Sequence, residues 1–458
     1  MRRARHSRRS FLLGGLATTA LAPFTEAPFE ALRRLTEAEE VPRGMGYGPL
    51  APVSDETSGL PLLQLPEGFR YRSYGWTGDP LDGAHSTPSR HDGMAVVATA
   101  GRQAILVRNH EVRDTTGSFG PPALTYDPAA GGGTSSLVFD TTSGKWLSSR
   151  VSLAGTSTNC AGGPTPWGSW LTCEETIAEA GESSGVGGKP LDRNHGFVFE
   201  VPGSGNATGK PLLGLGRFVH EAIAVDPATG IVYETEDASM CGFYRFLPQQ
   251  RGRLEASGTL QMLSVREAPR VALDGDIEGG RRFGIQWIDI DDPRAVRESV
   301  FAQGYAKGGA AFTRLEGAWY DRGLVYFTST SGGPAAAGQV WEYDPRLESL
   351  RLLYVSLDPA VLKNPDNITV SPRGGILLCE DGGFAGERLL GLSSRGSIFD
   401  FAVNDVVLHG EVHGIRGDYR TSEWCGACFS PDGRWLFANV QIPGITFAIT
   451  GPWERGGL

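Results

Sequence analysis

The chain contains little cysteine and little histidine, with 6 Cys and 8 His among 458 residues. The cysteines are scattered at positions 160, 173, 241, 379, 425 and 428, whereas a disulfide framework shows denser cysteines in a shorter chain. We therefore expect one disulfide or none. His110 and His220 each precede a glutamate without forming His-Glu-x-x-His. An orienting role beside a metal ligand and a plain core position remain equally open for them.

An excess of positive charge and long apolar runs are also missing. The 42 basic and 52 acidic residues give a net charge of −10, which disfavours nucleic acid as the main partner. Beyond residue 22, no apolar run approaches the ~20 residues that a membrane-spanning helix needs. We therefore expect no stable membrane insertion.

Turn-forming residues, by contrast, are abundant, with 64 Gly and 29 Pro. These residues break helix interiors, while the 10 Trp, 12 Tyr and 21 Phe are sufficient for a substantial core. The composition predicts a globular, all-β chain of many short strands joined by tight turns.

The segment at 1–22 has the pattern of an export signal. A basic segment containing Ser7-Arg8-Arg9-Ser10-Phe11-Leu12 precedes an apolar, Gly/Ala-rich stretch that ends at Ala22. This pattern resembles a twin-arginine signal, and a basic tail before an amphipathic helix is the alternative. We expect the twin-arginine translocase to export the folded chain, so that the protein is periplasmic or secreted. Export in the folded state favours a protein whose cofactor is inserted beforehand.

One pattern recurs six times: a turn containing Gly or Asp, then an apolar strand that ends in polar or acidic residues. The turns lie at 101–103, 166–169, 226–230, 321–323, 371–375 and 430–434. Such a repeat is typical of a β-propeller, here of six blades with loop insertions, the largest at 249–299. A sandwich of similar strands is the structural alternative. We expect a signal peptide at 1–22, a wrapping leader at 23–60 and a single propeller domain at 61–458.

Polar residues begin the strand before these turns and end the strand after them. Cys160 precedes Glu175, Glu221 precedes Glu236 and Asp366 precedes Asp381, each by the same number of residues. Glu316 and Glu423 occupy the corresponding places in their copies of the repeat. Because paired strands run antiparallel, such residues meet at one rim, and six blades bring many carboxylates to one central channel. Carboxylates packed in this way repel each other and lose solvation, so they require cations. The alternative is that they are ordinary solvated turn residues.

These residue types indicate which cations the channel would hold. Carboxylate oxygens suit Ca²⁺ or Mg²⁺, and the single thiol of Cys160 suggests a softer or redox-capable ion, unless it is an inert buried thiol. Arg314, close in the chain to Glu316, can present a bidentate fork to an oxyanion. This set suits phosphate-ester hydrolysis by a metal-bound oxygen nucleophile, without a nucleophile from the protein.

The same residues lie in motifs that resemble those of the PhoX family of exported alkaline phosphatases. The motifs are 160–163 with 165–168 and 171–175, His220-Glu221, 314–317, 366–370, 379–382 and 426–433. The resemblance implies a propeller whose channel holds Fe³⁺ and Ca²⁺ ions with a bridging oxo group. It also implies hydrolysis of small phosphomonoesters at alkaline pH, for phosphate acquisition.

Carried over by motif, Cys160 would ligate iron, Glu175 would bind iron or calcium, and Arg314 would hold the substrate phosphate, so that Cys160 and Arg314 are the catalytic candidates. The remaining metal ligands would be Glu221, Glu236, Glu316, Asp366 and Glu380, with Glu111, Asp381 and Glu423 matched only by repeat position. We expect a monomer. Two alternatives are a calcium-dependent propeller hydrolase of another ester class, such as a lactonase or phosphotriesterase, and a non-enzymatic calcium-binding periplasmic propeller.

Overall fold

A computed structural model of the chain describes residues 46–393 and 396–458. The predicted signal at 1–22 and the first part of the leader lie outside these residues. Within them the structure contains thirty strands, one short α-helix, α1 (Val300–Ala306), and three single turns of 3₁₀ helix. The predicted all-β fold class is confirmed. No helix in the described part of the chain is long and apolar enough to cross a bilayer.

The strands are short, and most are separated by tight turns. The first twelve are β1 (Leu50–Ser54), β2 (Pro61–Pro66), β3 (Arg70–Tyr74), β4 (Pro80–Leu81), β5 (His85–Ser86), β6 (His91–Ala100), β7 (Gln103–His110), β8 (Gly132–Asp140), β9 (Lys145–Thr156), β10 (Asn159–Pro164), β11 (Ser169–Glu174) and β12 (Val198–Pro202). The next nine are β13 (His220–Val225), β14 (Val232–Glu236), β15 (Phe243–Pro248), β16 (Gly258–Val265), β17 (Arg282–Asp289), β18 (Leu315–Asp321), β19 (Leu324–Ser329), β20 (Gln339–Asp344) and β21 (Ser349–Val355). The last nine are β22 (Pro365–Val370), β23 (Ile376–Glu380), β24 (Arg388–Leu392), β25 (Ile398–Asn404), β26 (Val407–Val412), β27 (Ile415–Asp418), β28 (Trp424–Phe429), β29 (Leu436–Val440) and β30 (Ile445–Thr450).

Each of the six predicted turns joins two antiparallel, hydrogen-bonded strands. The six pairs are β6–β7, β10–β11, β13–β14, β18–β19, β22–β23 and β28–β29. All six hairpins predicted from the sequence repeat are therefore confirmed.

Further strands extend these hairpins into larger sheets. The strand orders are β6-β7-β8-β9, β10-β11-β12, β13-β14-β15-β16-β17-β21-β20-β19-β18, β22-β23-β24-β25-β2-β1 and β28-β29-β30-β3. The stretch predicted as the largest insertion contributes β16 and β17, and β17 pairs with β21 to join two hairpins in the nine-stranded sheet. Part of the predicted leader, residues 50–54, forms the edge strand β1 beside β2.

The two ends of the described chain meet in one sheet. Strand β3, close to the beginning, pairs with β30, close to the end, so that Arg70 lies opposite Thr450 and Tyr74 opposite Thr446. A sheet built from both ends closes the fold, because the first and last segments are hydrogen-bonded to each other.

The first strand of each hairpin lies at an edge of its sheet and contacts the first strand of the next hairpin. We call the set β6, β10, β13, β18, β22 and β28 the inner ring. Its members contact each other in that order, and β28 contacts β6. Residues at the same position in these six strands therefore surround a common centre.

The apolar core lies between neighbouring sheets. One cluster joins the sheets of β22–β25 and β28–β30 through buried aromatic side chains that include Tyr71, Trp76, Trp424 and Phe447. Removing such large rings from water supplies much of the stabilisation of a β fold. The six cysteines all fall within the described residues, and each is buried with a free thiol.

Candidate metal centre

A β-bulge recurs at the same position in all six strands of the inner ring. In β10, Asn159 pairs with Glu174 and Gly162 pairs with Thr172, so three steps along β10 match two along β11. The other five pairs shift by the same amount near the start of their first strand. A bulge of this kind bends the strand and redirects a side chain.

Five of the six bulges place a metal-ligating side chain at the first extra position. The residues at this position are Asp92, Cys160, Glu221, Glu316, Asp366 and Gly426. Gly426 is the exception for a steric reason. Its φ is +61°, and a Cβ there would collide with the carbonyl oxygen of Asp92. The last hairpin instead contributes Glu423, which immediately precedes β28.

A second set of acids follows the partner strands directly. Glu111 follows β7, Glu175 follows β11 and Asp381 follows β23. In these hairpins the register brings the end of the second strand beside the bulge of the first. The predicted meeting of strand starts and strand ends thus occurs for Cys160 with Glu175 and for Asp366 with Asp381, each pair falling in one cluster.

These residues form four overlapping groups. Within each group the potential ligand atoms lie within 4.8 Å of one another. The groups are Cys160, Glu175 and Glu221; Glu221, Glu316 and Asp366; Asp366, Asp381 and Glu423; and Asp92, Glu111 and Glu423. Because Glu221, Asp366 and Glu423 are each shared by two groups, the nine residues form one connected set, which we call the nine-residue centre. The Sγ atom of Cys160 also lies 3.6 Å from Oδ2 of Asp92, which connects the first group to the last.

One carboxylate of the centre lacks compensating hydrogen bonds. Both carboxylate oxygens of Glu221 are buried without a hydrogen-bond partner in the structure. Burial, followed by the charges of Glu316 and Asp366, raises the pKa of Glu221 well above its usual range. Burial also raises the pKa of the Cys160 thiol, and the charge of Asp92 adds to the increase. A buried carboxylate without partners is costly unless a cation binds it.

The geometry fits bound metal ions. Oxygen ligands of Ca²⁺ lie about 2.3–2.6 Å from the ion, so two ligands on opposite sides are about 5 Å apart. A spacing of no more than 4.8 Å inside each group is compatible with one shared ion. Three groups contain only carboxylates, and one adds a thiol, the donor that favours softer transition metals.

Arg314 and Arg113 donate hydrogen bonds to acids of the centre. Arg314 donates to Asp237 at 3.0 and 3.3 Å and to Oε1 of Glu316 at 2.6 Å, and its side chain remains 39% exposed. Arg113 donates to Glu111 at 2.6 and 2.9 Å and to Glu175 at 3.3 Å. Arg314 has a φ of +43°, an uncommon conformation for a residue with a Cβ. Both arginines offer guanidinium groups at the exposed side of a buried carboxylate set.

Two predicted ligands lie outside the four groups. Glu236 accepts hydrogen bonds from the Tyr244 hydroxyl at 2.6 Å and from the Gly242 amide at 3.0 Å. Both oxygens of Glu380 accept from Arg388, at 2.7 and 2.8 Å. Each carboxylate thus has partners within its own sheet rather than in the nine-residue centre.

Glu236 and Glu380 occupy the same position in their hairpins as Glu174 does in its own. Glu174, Glu236 and Glu380 are the last residues of β11, β14 and β23, and each binds groups away from the centre. The residue after each of them is acidic and lies on the other side of the strand: Glu175, Asp237 and Asp381. Successive side chains on a strand point to opposite faces, so only one of two adjacent acids can face the ring centre.

The sequence repeat did not identify Asp92, which belongs to the centre, or Asp237, which lies beside it. Asp92 belongs to one group and lies at the bulge of β6, and His91-Asp92-Gly93 before an apolar run was the signal that could have revealed it. Asp237 occupies the position of Glu175 and Asp381 in its own hairpin and binds Arg314. Detecting either residue requires the strand register rather than a fixed spacing.

His110 and His220 contact residues outside the nine-residue centre. His110 is within hydrogen-bonding distance of the Ser135 hydroxyl at 3.0 Å and of the Ser89 carbonyl at 3.3 Å. His220 is 3.2 Å from the Gly216 carbonyl and 3.4 Å from Glu234, which belongs to none of the four groups. Burial lowers the pKa of both imidazoles, to about 3 for His220. These contacts favour the core position for both residues.

Comparison with known proteins gives a family and a fold. The model of the PhoX alkaline phosphatase family matches residues 45–152 and 128–444. Among solved structures, PhoX of Pseudomonas fluorescens in complex with vanadate, a transition-state analogue, is similar with a TM-score of 0.64 and 18% identity, over 91% of this chain and 99% of that one. A putative 6-phosphogluconolactonase from Bacteroides uniformis is similar over 84% of this chain and 85% of that one, with 12% identity and a TM-score of 0.41. A gluconolactonase from Xanthomonas campestris has the same identity and TM-score, over 90% and 99%. No curated protein matches the chain in sequence.

Proposed function

The chain belongs to the PhoX alkaline phosphatase family, and from this premise we propose that the nine-residue centre is the active site of a metal-dependent phosphomonoesterase. Glu221 supports this proposal most directly, because it is a buried carboxylate without hydrogen-bond partners and is shared by two potential metal groups. Arg314 lies at the exposed edge of one of them. A cation-binding set beside an exposed guanidinium is the arrangement that binding of a phosphate dianion requires.

We propose that the fold is a six-bladed β-propeller. The support is the ring of six contacting first strands, the shared bulge in each, and the sheet in which β3 closes on β30. In such an arrangement the inner strands surround a channel, and residues at equivalent strand positions converge on it.

We propose Fe³⁺ and Ca²⁺ as the ions. Cys160 with Glu175 and Glu221 would hold iron, because a thiolate favours a transition metal over calcium. The carboxylate-only groups, which contain Glu316, Asp366, Asp381, Glu111, Asp92 and Glu423, would hold calcium. The resemblance to the family supplies the identities of the two ions, and the donor chemistry of each group supports which ion it would hold.

The residues of the chain have separable tasks in the proposed reaction. The bound ions would supply positive charge to the phosphoryl oxygens and to the leaving oxygen. Arg314 would orient the phosphate through its planar fork, while Asp237 and Glu316 hold the guanidinium in place. Tyr244 and Arg388 satisfy the strand-end acids Glu236 and Glu380 outside the centre.

We further propose that the protein acts outside the inner membrane in phosphate acquisition. The support is the predicted twin-arginine signal at 1–22, which would make the translocase a partner during export of the folded chain. A monomer with small phosphomonoesters as substrates is consistent with this role.

Replacing Arg314 with alanine should lower kcat/KM for an aryl phosphate roughly 100-fold while leaving the metal content unchanged, because one preorganised donor to the phosphate is lost. Kinetics, inhibition by inorganic phosphate and elemental analysis of the same preparation measure these effects. Arg253→Ala, an exposed arginine that pairs with Glu255, is the matched control and should behave as wild type. Unchanged kcat/KM and unchanged phosphate inhibition would show that Arg314 does not bind the substrate.

Replacing Cys160 with alanine tests the function and the metal assignment together. We expect iron and phosphatase activity to be lost, most calcium to be retained, and the circular dichroism spectrum to remain that of the folded protein. Cys173→Ala is the matched control, because Cys173 is another buried thiol, on β11, that belongs to none of the four groups. Full activity in Cys160→Ala would exclude the proposed iron site. Calcium without iron in the wild type, with no turnover of aryl phosphate between pH 7 and 11, would contradict the phosphatase assignment itself.

A further inference from the structure

A pocket lined with hydroxyl groups adjoins the nine-residue centre. Its volume is about 260 Å³. The side chains of Thr115, Ser157 and Thr158, all buried, line it together with the exposed loop residues Glu182 and Ser183. We call this cavity the hydroxyl pocket.

The pocket shares residues with the candidate active site. Glu175 and Arg113 line it, and Glu175 also belongs to the group that contains Cys160. Arg113 donates to both Glu111 and Glu175, so its guanidinium lies where the pocket meets the centre. The cavity is therefore within reach of a substrate whose phosphate is bound at the centre.

The outer wall of the pocket is held in place by backbone hydrogen bonds. Ser184 donates from its amide to the Thr115 hydroxyl at 3.0 Å and accepts from the Thr115 amide at 3.0 Å. The Lys189 amide donates to the Thr115 carbonyl at 2.9 Å, and the Leu191 amide donates to the Glu182 carbonyl at 2.8 Å. The wall is thus built before a ligand arrives, and a preformed site loses little entropy on binding.

The lining selects for polar, uncharged groups. The Thr115 hydroxyl is bound to the backbone of Ser184, and the other hydroxyl side chains of the lining can donate and accept hydrogen bonds, which matches the hydroxyl groups of a sugar or polyol. The positive charge of Arg113 is already paired with Glu111 and Glu175, so the further negative charge of Glu182 disfavours a second phosphate or carboxylate at the wall. The volume is below the ~300–1,000 Å³ of pockets for drug-sized ligands, so the occupant is a small group.

We propose that the hydroxyl pocket binds the alcohol portion of the substrate, so that the enzyme favours phosphomonoesters of small, neutral, polyhydroxylated alcohols such as hexoses and polyols. This inference rests on the proposed phosphatase function of the adjoining centre. Ser183 and Glu182 act here as specificity-determining residues, separate from the groups that bind phosphate.

The test compares three esters on the metal-loaded enzyme: a hexose 6-phosphate, the apolar cyclohexylmethyl phosphate, and methyl phosphate, which is too small to fill the pocket. We expect kcat/KM for the hexose ester to exceed that for the cyclohexylmethyl ester at least roughly tenfold, because a hydrogen-bonding site discriminates against an analogue that lacks the hydroxyls. Ser183→Phe, which fills the cavity from an exposed loop position, should lower kcat/KM for the hexose ester roughly tenfold and change that for methyl phosphate less than twofold.

Ser204→Phe is the matched control, because Ser204 is also exposed but lies far from the pocket. It follows Gly203, whose amide donates to the Gly168 carbonyl at the opposite end of the β10–β12 sheet. It should leave all three esters unaffected. Equal turnover of the hexose and cyclohexylmethyl esters, or an equal loss for hexose and methyl esters in Ser183→Phe, would overturn the proposal. If the wild type hydrolyses none of the esters, the proposed function fails. Calorimetric binding of the hexose ester then decides about the pocket: weaker binding to Ser183→Phe than to Ser204→Phe supports it, and equal binding overturns it.

Discussion

Replacing Glu221 with glutamine should abolish phosphatase activity while making the metal-free protein more stable than the metal-free wild type. Glu221 is shared by two groups, so its loss weakens two ion sites at once. Loss of a residue that merely orients a ligand costs about 10–100-fold in metal affinity or activity, and we expect a ligand to cost at least about 100-fold. Without ions, however, burial and the charges of Glu316 and Asp366 disfavour ionised Glu221, so the wild type must protonate this carboxyl on folding, and glutamine removes that cost.

The two effects are measured separately. Elemental analysis and aryl phosphate kinetics should show the loss of metal and turnover, and melting curves after chelation should show the gain in stability. Glu234→Gln is the matched control, because Glu234 is equally buried and also lacks hydrogen bonds but belongs to none of the four groups. It should retain the metals. A Glu221→Gln enzyme with wild-type metal content and activity would place the metal centre elsewhere.

Removal of the metals from the wild type should reduce activity to background and lower the melting temperature by about 10 °C or more, because ions that bind only the folded state stabilise it by mass action. The decrease in melting temperature on metal removal should be larger at alkaline pH. Burial and the neighbouring charge of Glu111 raise the pKa of Glu175 to about 9, and burial with the charge of Asp381 raises that of Asp366 to about 7. Between the ordinary carboxyl pKa values and these raised ones, the folded metal-free state holds more protons than the unfolded state, so its stability falls as pH rises.

Melting temperatures of the metal-free protein at pH 5, 7 and 9 test this prediction. We expect a decline across the series for the metal-free protein and a much smaller one for the metal-loaded protein. Addition of Ca²⁺ and Fe³⁺ together should restore activity, and Ca²⁺ alone should restore part of the stability without turnover. Activity that survives exhaustive chelation, or a metal-free protein equally stable at pH 5 and pH 9, would contradict a centre of buried, cation-dependent carboxylates.

The turn-forming residues predicted the hairpins correctly. A fixed spacing along the chain, however, did not predict which residue at the end of the second strand lies beside the bulge of the first. Cys160 and Glu175 show the repeated spacing and fall in one group. The same spacing from Glu221 leads to Glu236, whereas the register places Glu236 opposite His220 and leaves Asp237 beside the bulge. The distance along the chain depends on turn length, while the distance in space depends on hydrogen-bond register.

Where two acids are adjacent, the sequence also does not show which of them is the metal ligand. The sequence offers Glu380 and Asp381 side by side, and strand alternation sends them to opposite faces. Only Asp381 joins a metal group, while Glu380 binds Arg388. Asp92 escaped prediction because its hairpin is longer, so that Glu111 follows it at a wider interval than the repeat has elsewhere.

The sequence by itself determined the all-β fold class, the six turns, and the supply of carboxylates and one thiol at strand ends, because these depend on local conformational preference and composition. Only the tertiary structure decided which of those groups meet. The six bulges and the pairing of β3 with β30 bring Asp92 and Glu423, which come from opposite ends of the described chain, into one group. Closure of a ring is a long-range event, and the register of each hairpin selects the side chain that faces its centre.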